Sequence, residues 1–377
     1  MKVLMIGNAD SLWMQRYIKY VSIPLGHQVE IISNTNEKFA EFYNNNNIIV
    51  LTAYKENNIF FKIPKLRAVM LFLENMRLLN KTECDIIQVQ FVSYSIARLL
   101  GSLKFKAKLI LTYWGSDLFR ENNEHLSKIS GTIDKADSIV VMTSEMQNKI
   151  IDIYGDAAQY KTQIIDMGIS AFKNIDAAIE DKNGAKVKLR GKGFDDKFFI
   201  TLGYNASVAQ QHEKLLLTLK SLPDKVKGRI CAVLPMTYPD NQLSYVNKIK
   251  EISENVGFDV LILTEFMNDE QIATLCAATD IFVNAQTTDA LSTSMLEHLY
   301  SGSLVLNGSW LHYSFLDDLG IYYENFDSFA EINLKIQRFI DKLPQNETQS
   351  NHDLLANQCS WESCRNRWEE IYNKLAL

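Results

Sequence analysis

The chain predicts an α/β architecture of two doubly wound domains, and three observations carry that expectation. At 377 residues it is too long for one ordinary hydrophobic core, and chains of this size divide. Short apolar runs alternate with helical patterns from end to end, the mark of parallel sheets with helices on both faces. Between the halves, residues 182–197 are rich in Gly and Lys and weakly periodic, which places a linker at 171–195. The expected division is a first domain over 1–170 and a second over 196–354. A final helix within 355–377 is expected to dock back on the first.

The first domain opens with a strand at 2–6 that runs into a loop at Gly7. A helical period covers 11–22, and the β-branched run 28–33 predicts the second strand. Residues 47–52 form the third after an Asn-rich turn. Apolar positions at Leu66, Val69, Met70, Leu73 and Met76 predict a helix over 65–80. Strands at 85–91, 108–113, 138–142 and 162–165 then alternate with helices at 93–103, 124–136 and 144–154. The second domain repeats the scheme, with strands at 198–202, 229–234, 259–263, 281–284 and 304–306. Its helices are expected at 209–221, 243–256, 269–277, 293–301 and 329–343. Hydroxyl residues at 292–294 open the fourth of these and Gly302 closes it. Two such sheets facing across a cleft bring their carboxyl ends together, where these folds take ligands.

Composition narrows the function classes. Apolar residues at 47% and charged residues at 22% are those of a globular chain. A net charge of −6 argues against nucleic acid as a partner. The five cysteines are scattered without metal spacing, which fits reduced thiols in a cytoplasm. No apolar run approaches the roughly 20 residues of a membrane span. No Ser-His-Asp order, His-Glu-x-x-His, Walker loop or Asp-x-Asp metal site is present, so no metal and no cofactor is expected.

The most informative stretch runs from Asp280 to Gly302. It reads as a buried strand, a polar loop and a helix opened by hydroxyl residues. A strand feeding a helix N-terminus offers unpaired N–H groups and a positive dipole end, which suit phosphate. Asp289 and Glu297 stand with seven residues between them, and Glu297 is placed to accept hydrogen bonds from sugar hydroxyls. A second strand–loop–helix unit runs from Gly203-Tyr204-Asn205 to His212 and aims backbone N–H groups at a diphosphate in the same way. His212 at its helix start suits an anion, and a structural histidine is the plainer alternative. In the first domain, Thr112-Tyr-Trp114-Gly115-Ser-Asp117 follows a strand. There Asp117 is either a general base or acceptor ligand, or the cap of the next helix.

These stretches resemble the family-4 glycosyltransferases of the GT-B fold, two Rossmann-like domains. That family's donor signature has Glu, seven residues, then Glu, a small residue and Gly before an apolar strand. Asp289 stands at the first position and Glu297 at the second. The resemblance implies that Glu297 holds the ribose hydroxyls and that Leu291, Ser292 and Thr293 hold the diphosphate. It implies a nucleobase contact at Phe266 and Met267, and catalytic roles for Asp117, His212 and Asp289. Gly7 and Asn8 resemble the first-strand loop and, with Trp114 and Gly115, fall on the acceptor side. Gln88 and Gln90 stand where the family has His, and the usual Arg and Lys after Gly203 are missing.

Residues 233–241, with 203–212 and 114–118, are also similar to the N-acetylfucosaminyl transferases of enterobacterial common antigen assembly. Those enzymes are inverting and family 4 is retaining, so the stereochemistry stays open. The implied activity moves a sugar from a nucleoside diphosphate to a hydroxyl of a polyprenyl-linked glycan, in surface polysaccharide biosynthesis. A nucleotide-sugar epimerase and a silent binding subunit are the alternatives. The basic helix over 62–81, with Phe60, Phe61 and Phe72, suggests contact with an anionic membrane at the inner face of the plasma membrane.

Overall fold

The structure is a computed structural model that describes residues 1–54, 63–191, 193–194, 196–238, 242–288 and 292–376. Its chain divides into two compact units, Met1–Gly168 with Trp361–Leu377, and Ile169–Ser360. The first holds strands β1 (Lys2–Ile6), β2 (Gln28–Ser33), β3 (Ile49–Thr52), β4 (Ile86–Gln90), β5 (Lys108–Thr112), β6 (Ser138–Val141) and β7 (Thr162–Ile164). They form one sheet in the order β3-β2-β1-β4-β5-β6-β7, parallel throughout.

The second unit holds β8 (Phe198–Leu202), β9 (Ile230–Pro235), β10 (Asp259–Leu263), β11 (Ile281–Asn284), β12 (Leu304–Gly308) and β13 (Glu324–Phe326). Their order is β10-β9-β8-β11-β12-β13, again parallel. Each sheet therefore reverses its winding once, between β1 and β4 in the first and between β8 and β11 in the second. Ligands of doubly wound sheets sit beyond the carboxyl ends of the strands at such a switch point.

Period-two alternation divides the strand residues between the two faces of each sheet. Leu4, Ile87, Val89 and Leu111 join one cluster, whereas Val3, Met5, Ile86 and Ile110 join another with Met14, Tyr17 and Trp368. In the second unit Ile200, Leu202, Ala232 and Val283 share one core. Phe199, Cys231 and Val233 face the other side. Burial on both faces explains the near-continuous apolar runs of these strands.

The structure differs from the sequence reading at three places. The expected linker 171–195 contains helices Phe172–Ile179 and Lys182–Arg190, both within the second unit. The latter is anchored by Lys186, whose ammonium lies 2.8 Å from Asp280 in a buried ion pair and also donates to the Lys197 carbonyl. Residues 345–359 form a helix of the second unit, which moves the expected boundary at 354 to Ser360, and the final helix returns to the first unit over Trp361–Ala376. The first long helix is α-helical over Leu12–Tyr17 and π-helical over Ile18–Ser22. Among the described residues no helix is long and apolar enough to cross a membrane.

Candidate functional site

At the switch point of the second sheet, β8 ends in Gly203 with φ +64°, a backbone that L-residues rarely adopt. A Cβ there would lie 2.6 Å from Gln210 Oε1 and 3.1 Å from His212 Nε2. Both strain and space therefore require glycine. The Gly203 N–H donates to Val283 O across to β11 at 3.1 Å. Further bonds lace the loop after β8 to the loop after β11. The Tyr204 hydroxyl (3.1 Å) and Gln210 Nε2 (2.9 Å) both donate to Gln286 Oε1. Thr287 N–H donates to Ala209 O, and Gln211 Nε2 to Ala285 O. Ala206 N–H donates to Tyr238 O after β9. Asn205 is spent on its own turn, accepting from Ser207 N–H at 2.8 Å.

His212 is the first residue of helix His212–Lys220 and is fully buried. Its Nδ1 lies 3.2 Å from the Tyr245 hydroxyl, while Nε2 has no hydrogen-bond partner among the described residues. Burial pushes the imidazole down to about 4, against a smaller opposing pull from the Leu202 carbonyl. The ring at this helix start is therefore neutral at pH 7 and brings a donor or acceptor rather than a charge. Lys214 is turned to Gln211 Oε1, 2.7 Å away.

Helix Thr293–Tyr300 follows β11 and packs on it, with His298 stacked on Phe282 at 4.4 Å. Asn284 at the strand's end reaches Met295 Sδ in the helix's first turn. Ser292 caps this helix, its hydroxyl accepting the Met295 N–H at 3.0 Å. With Met295 so engaged, helix geometry directs the N–H groups of Thr293 and Ser294 outward from the N-terminus. Glu297 lies one turn further along the face of Thr293 and is buried. Burial, and then the Glu297 charge, hold Cys276 as a thiol. Asp289 and Leu291 lie outside the described residues.

The loop after β10 carries Phe266, 75% exposed, and Met267, which packs on the core beneath. A cavity of about 630 Å³ lies beside it, lined by Lys188, Leu263, Glu265, Met267 and Gln271. Strand β10 is two places from β8 in the sheet, roughly 10 Å at the usual strand spacing.

In the first unit, Gly7 ends β1 where a Cβ would lie 2.8 Å from the Gln90 carbonyl oxygen. Asn8 accepts from Asp10 N–H and Thr35 Oγ1. Gly115, at φ +106°, starts the short helix Ser116–Phe119. Asp117 is buried, and each carboxylate oxygen accepts a backbone N–H, from Trp114 at 2.9 Å and from Val92 at 2.8 Å. Burial raises its pKa, and those N–H groups pull it the other way. This carboxylate clasps two loops together, the bond geometry of a structural acceptor.

Sequence reasoning missed Gln210 and Gln286, which join the two loops. It also missed an amide ladder, from buried Asn284 and Asn307 out to exposed Asn325, that links β11, β12 and β13 at 3.1 and 3.2 Å. Three asparagines near the ends of consecutive apolar strands were the available signal. Among the described residues no group of three or more His, Cys, Asp or Glu is arranged to hold a metal ion.

Residues 2–144 match the profile of the family described as Glycosyl transferase 4-like. No curated protein matches the chain. Among solved structures, HepE of Anabaena in complex with UDP is similar at TM-score 0.72 and 14% identity, covering 99% of this chain and 100% of that one. A glycosyltransferase of Rickettsia africae is similar at TM-score 0.70 and 16% identity, with 100% and 98% covered. The lipopolysaccharide outer core galactosyltransferase WaaB in its apo form gives TM-score 0.64 at 13% identity, with 99% and 100% covered. The fold is GT-B, and the stretch matching the glycosyl transferase 4-like profile lies wholly in its first unit.

Proposed function

We propose that the protein is a glycosyltransferase that moves a hexosyl group from a nucleoside-diphosphate sugar to a hydroxyl of a lipid-linked glycan in surface polysaccharide synthesis. The observation that carries this reading is the second switch point. Two laced loops there meet a capped helix start, with Glu297 one turn in. Such a crevice presents main-chain donors to a diphosphate and a carboxylate to ribose hydroxyls. The leaving diphosphate's charge would fall on preorganised N–H groups and the helix dipole without a divalent cation. The complexes of HepE with UDP and with UDP-glucose support a donor of this class, as does the profile match over 2–144.

A membrane-side acceptor is supported by helix Pro64–Lys81. Its Leu66, Val69 and Leu73 recur along one face and are exposed, beside Arg67, Arg77 and Lys81. Lys62, Phe60 and Phe61 of the expected basic patch lie outside the described residues.

Calorimetric titration with UDP, GDP and dTDP tests the donor site. One of them is expected to bind, and Glu297→Ala to weaken it about 10- to 100-fold, the worth of hydrogen bonds to a charged group. Absence of binding to all three sinks the reading. Activated sugars supplied with a membrane extract should then yield a heavier lipid-phase product by mass. A rearranged nucleotide sugar without acceptor would mark an epimerase, and binding without any product a silent subunit.

A further inference from the structure

One histidine joins the helices through which the chain enters and leaves the second unit. The chain enters at Ile169, and helix Phe172–Ile179 follows at once. It leaves after helix Gln345–Cys359, at Ser360. The Ile169 N–H donates to Cys359 O at 3.0 Å, so the two ends of the unit lie side by side.

Three rings from three helices stack beside them. Phe172 of the entering helix lies on Tyr300, with centroids 3.6 Å apart and planes 3° from parallel. His352 of the leaving helix lies on Tyr300 at 4.3 Å and 26°. Tyr300 ends helix Thr293–Tyr300, whose N-terminus is the candidate donor site. A single oxygen, Asp176 Oδ1, gathers all three helices. It accepts from the Tyr300 hydroxyl at 2.7 Å and lies 3.1 Å from His352 Nε2. The other ring nitrogen, Nδ1, lies 3.1 Å from Asp353 Oδ1.

This geometry selects a protonation state. An ionised carboxylate accepts hydrogen bonds and donates none, and a neutral imidazole has a single N–H. Only the doubly protonated ring donates at both nitrogens. Loss of one proton turns a lone pair toward a carboxylate, which repels it. The tyrosine ring favours the same charged form, since an aromatic face attracts a cation. The charges that bear on the ring are Asp176, from the entering helix, and Asp353, from its own. Helix Thr293–Tyr300 meets it with the Tyr300 ring. Burial opposes the charge, but the two carboxylates outweigh it and hold the imidazole above its ordinary 6.5. The side chain is 31% exposed, which lets protons reach it.

We infer that His352 is a proton-operated clasp between the first and last helices of the second unit: the imidazolium bridges the leaving helix to Asp176, and the neutral ring lets it go. Linkage fixes the direction. The unfolded histidine titrates at about 6.5 and the folded one higher, so the clasp is fully effective below about pH 6.5 and is lost as pH rises through the folded value. Opening is local. Asn351 still exchanges two bonds with the Tyr322 backbone, both 2.8 Å, and Leu355 stays in the core. The clasp stands whether or not the donor site takes a nucleotide.

Amide hydrogen exchange of the full-length protein at pH 6.5 and 8.5, corrected for intrinsic rates, tests it. Amides within 345–359 should lose about two- to fivefold protection at pH 8.5, the worth of a partly solvated ion pair, while those of β8 lose none. In His352→Gln and in Asp176→Asn the protection of 345–359 should no longer depend on pH. Selective 15N labelling of the six histidines, with His352→Gln to assign the signal, gives a second readout. Both His352 ring nitrogens should be protonated at pH 6.0, with a midpoint above 6.5 that falls in Asp176→Asn. A midpoint at or below 6.5 overturns the clasp. So does equal protection of 345–359 at the two pH values, the same pH dependence in His352→Gln, or a loss shared equally by β8.

Discussion

His212 was legible as a residue at a helix start, and its charge was not. The imidazole is neutral because it is buried beside Tyr245, a partner distant in sequence. His298 is held down to about 3 by burial alone. The unfolded chain binds protons near pH 6.5, whereas these folded imidazoles refuse them until about 4 and about 3. Acid therefore favours unfolding: stability is complete above pH 7 and falls as pH drops below 6.5, by about 2 kcal/mol per histidine at pH 5. His352 works the other way. Burial lowers it, but hydrogen bonds to Asp176 and Asp353 outweigh that and raise it. Urea midpoints at pH 7.5 and 5.0 should accordingly differ more in wild type than in His298→Leu. Equal differences would show that His298 titrates normally.

At the scale of elements, strands were readable because burial on both faces leaves continuous apolar runs, as in Ile230–Pro235. Helices in the presumed linker were hidden by a glycine that reads as a breaker. Gly184 is the third residue of its helix, where the Asp181 carboxylate caps its N–H at 2.8 Å. A Cβ at Gly184 would fall 1.9 Å from that carboxylate, so glycine here is required by the cap. The pairing of Lys186 with Asp280 was equally invisible, since no local pattern links residues so far apart. Asp280 also accepts the Phe199 N–H and lies 3.3 Å from Lys182. Asp280→Asn would leave the buried Lys186 ammonium uncompensated, a loss of about 3–5 kcal/mol. Chemical denaturation should register that loss. A cost below about 1 kcal/mol, the range of surface pairs, would mean the pair is solvated.

For the molecule as a whole, the decisive feature is that the first unit is completed by the last stretch of chain. Helix Trp361–Ala376 lays Trp361, Cys364, Trp368, Ile371 and Tyr372 into the same cluster as Met14, Tyr17 and Ile18. Amphipathic spacing in 361–377 made a docking helix readable. Its polar seam was not, because Tyr372, Tyr17 and Gln88 meet only in three dimensions, with the two hydroxyls 2.8 Å apart. Trp361 also presses on Gly168, where a Cβ would lie 2.4 Å from the indole, so the chain crosses between units at a point that only glycine fits. Trp368, 2% exposed and edge-on to Tyr17 at 5.0 Å, fills the centre of this seam. Trp368→Ala should cost about 3–5 kcal/mol, the usual price of emptying a buried aromatic site. Because that seam belongs to the first unit alone, amide hydrogen exchange should speed up in β1 and β4 and stay slow in β8 and β11. Uniform acceleration across both sheets would instead mean that the two units unfold as one cooperative body.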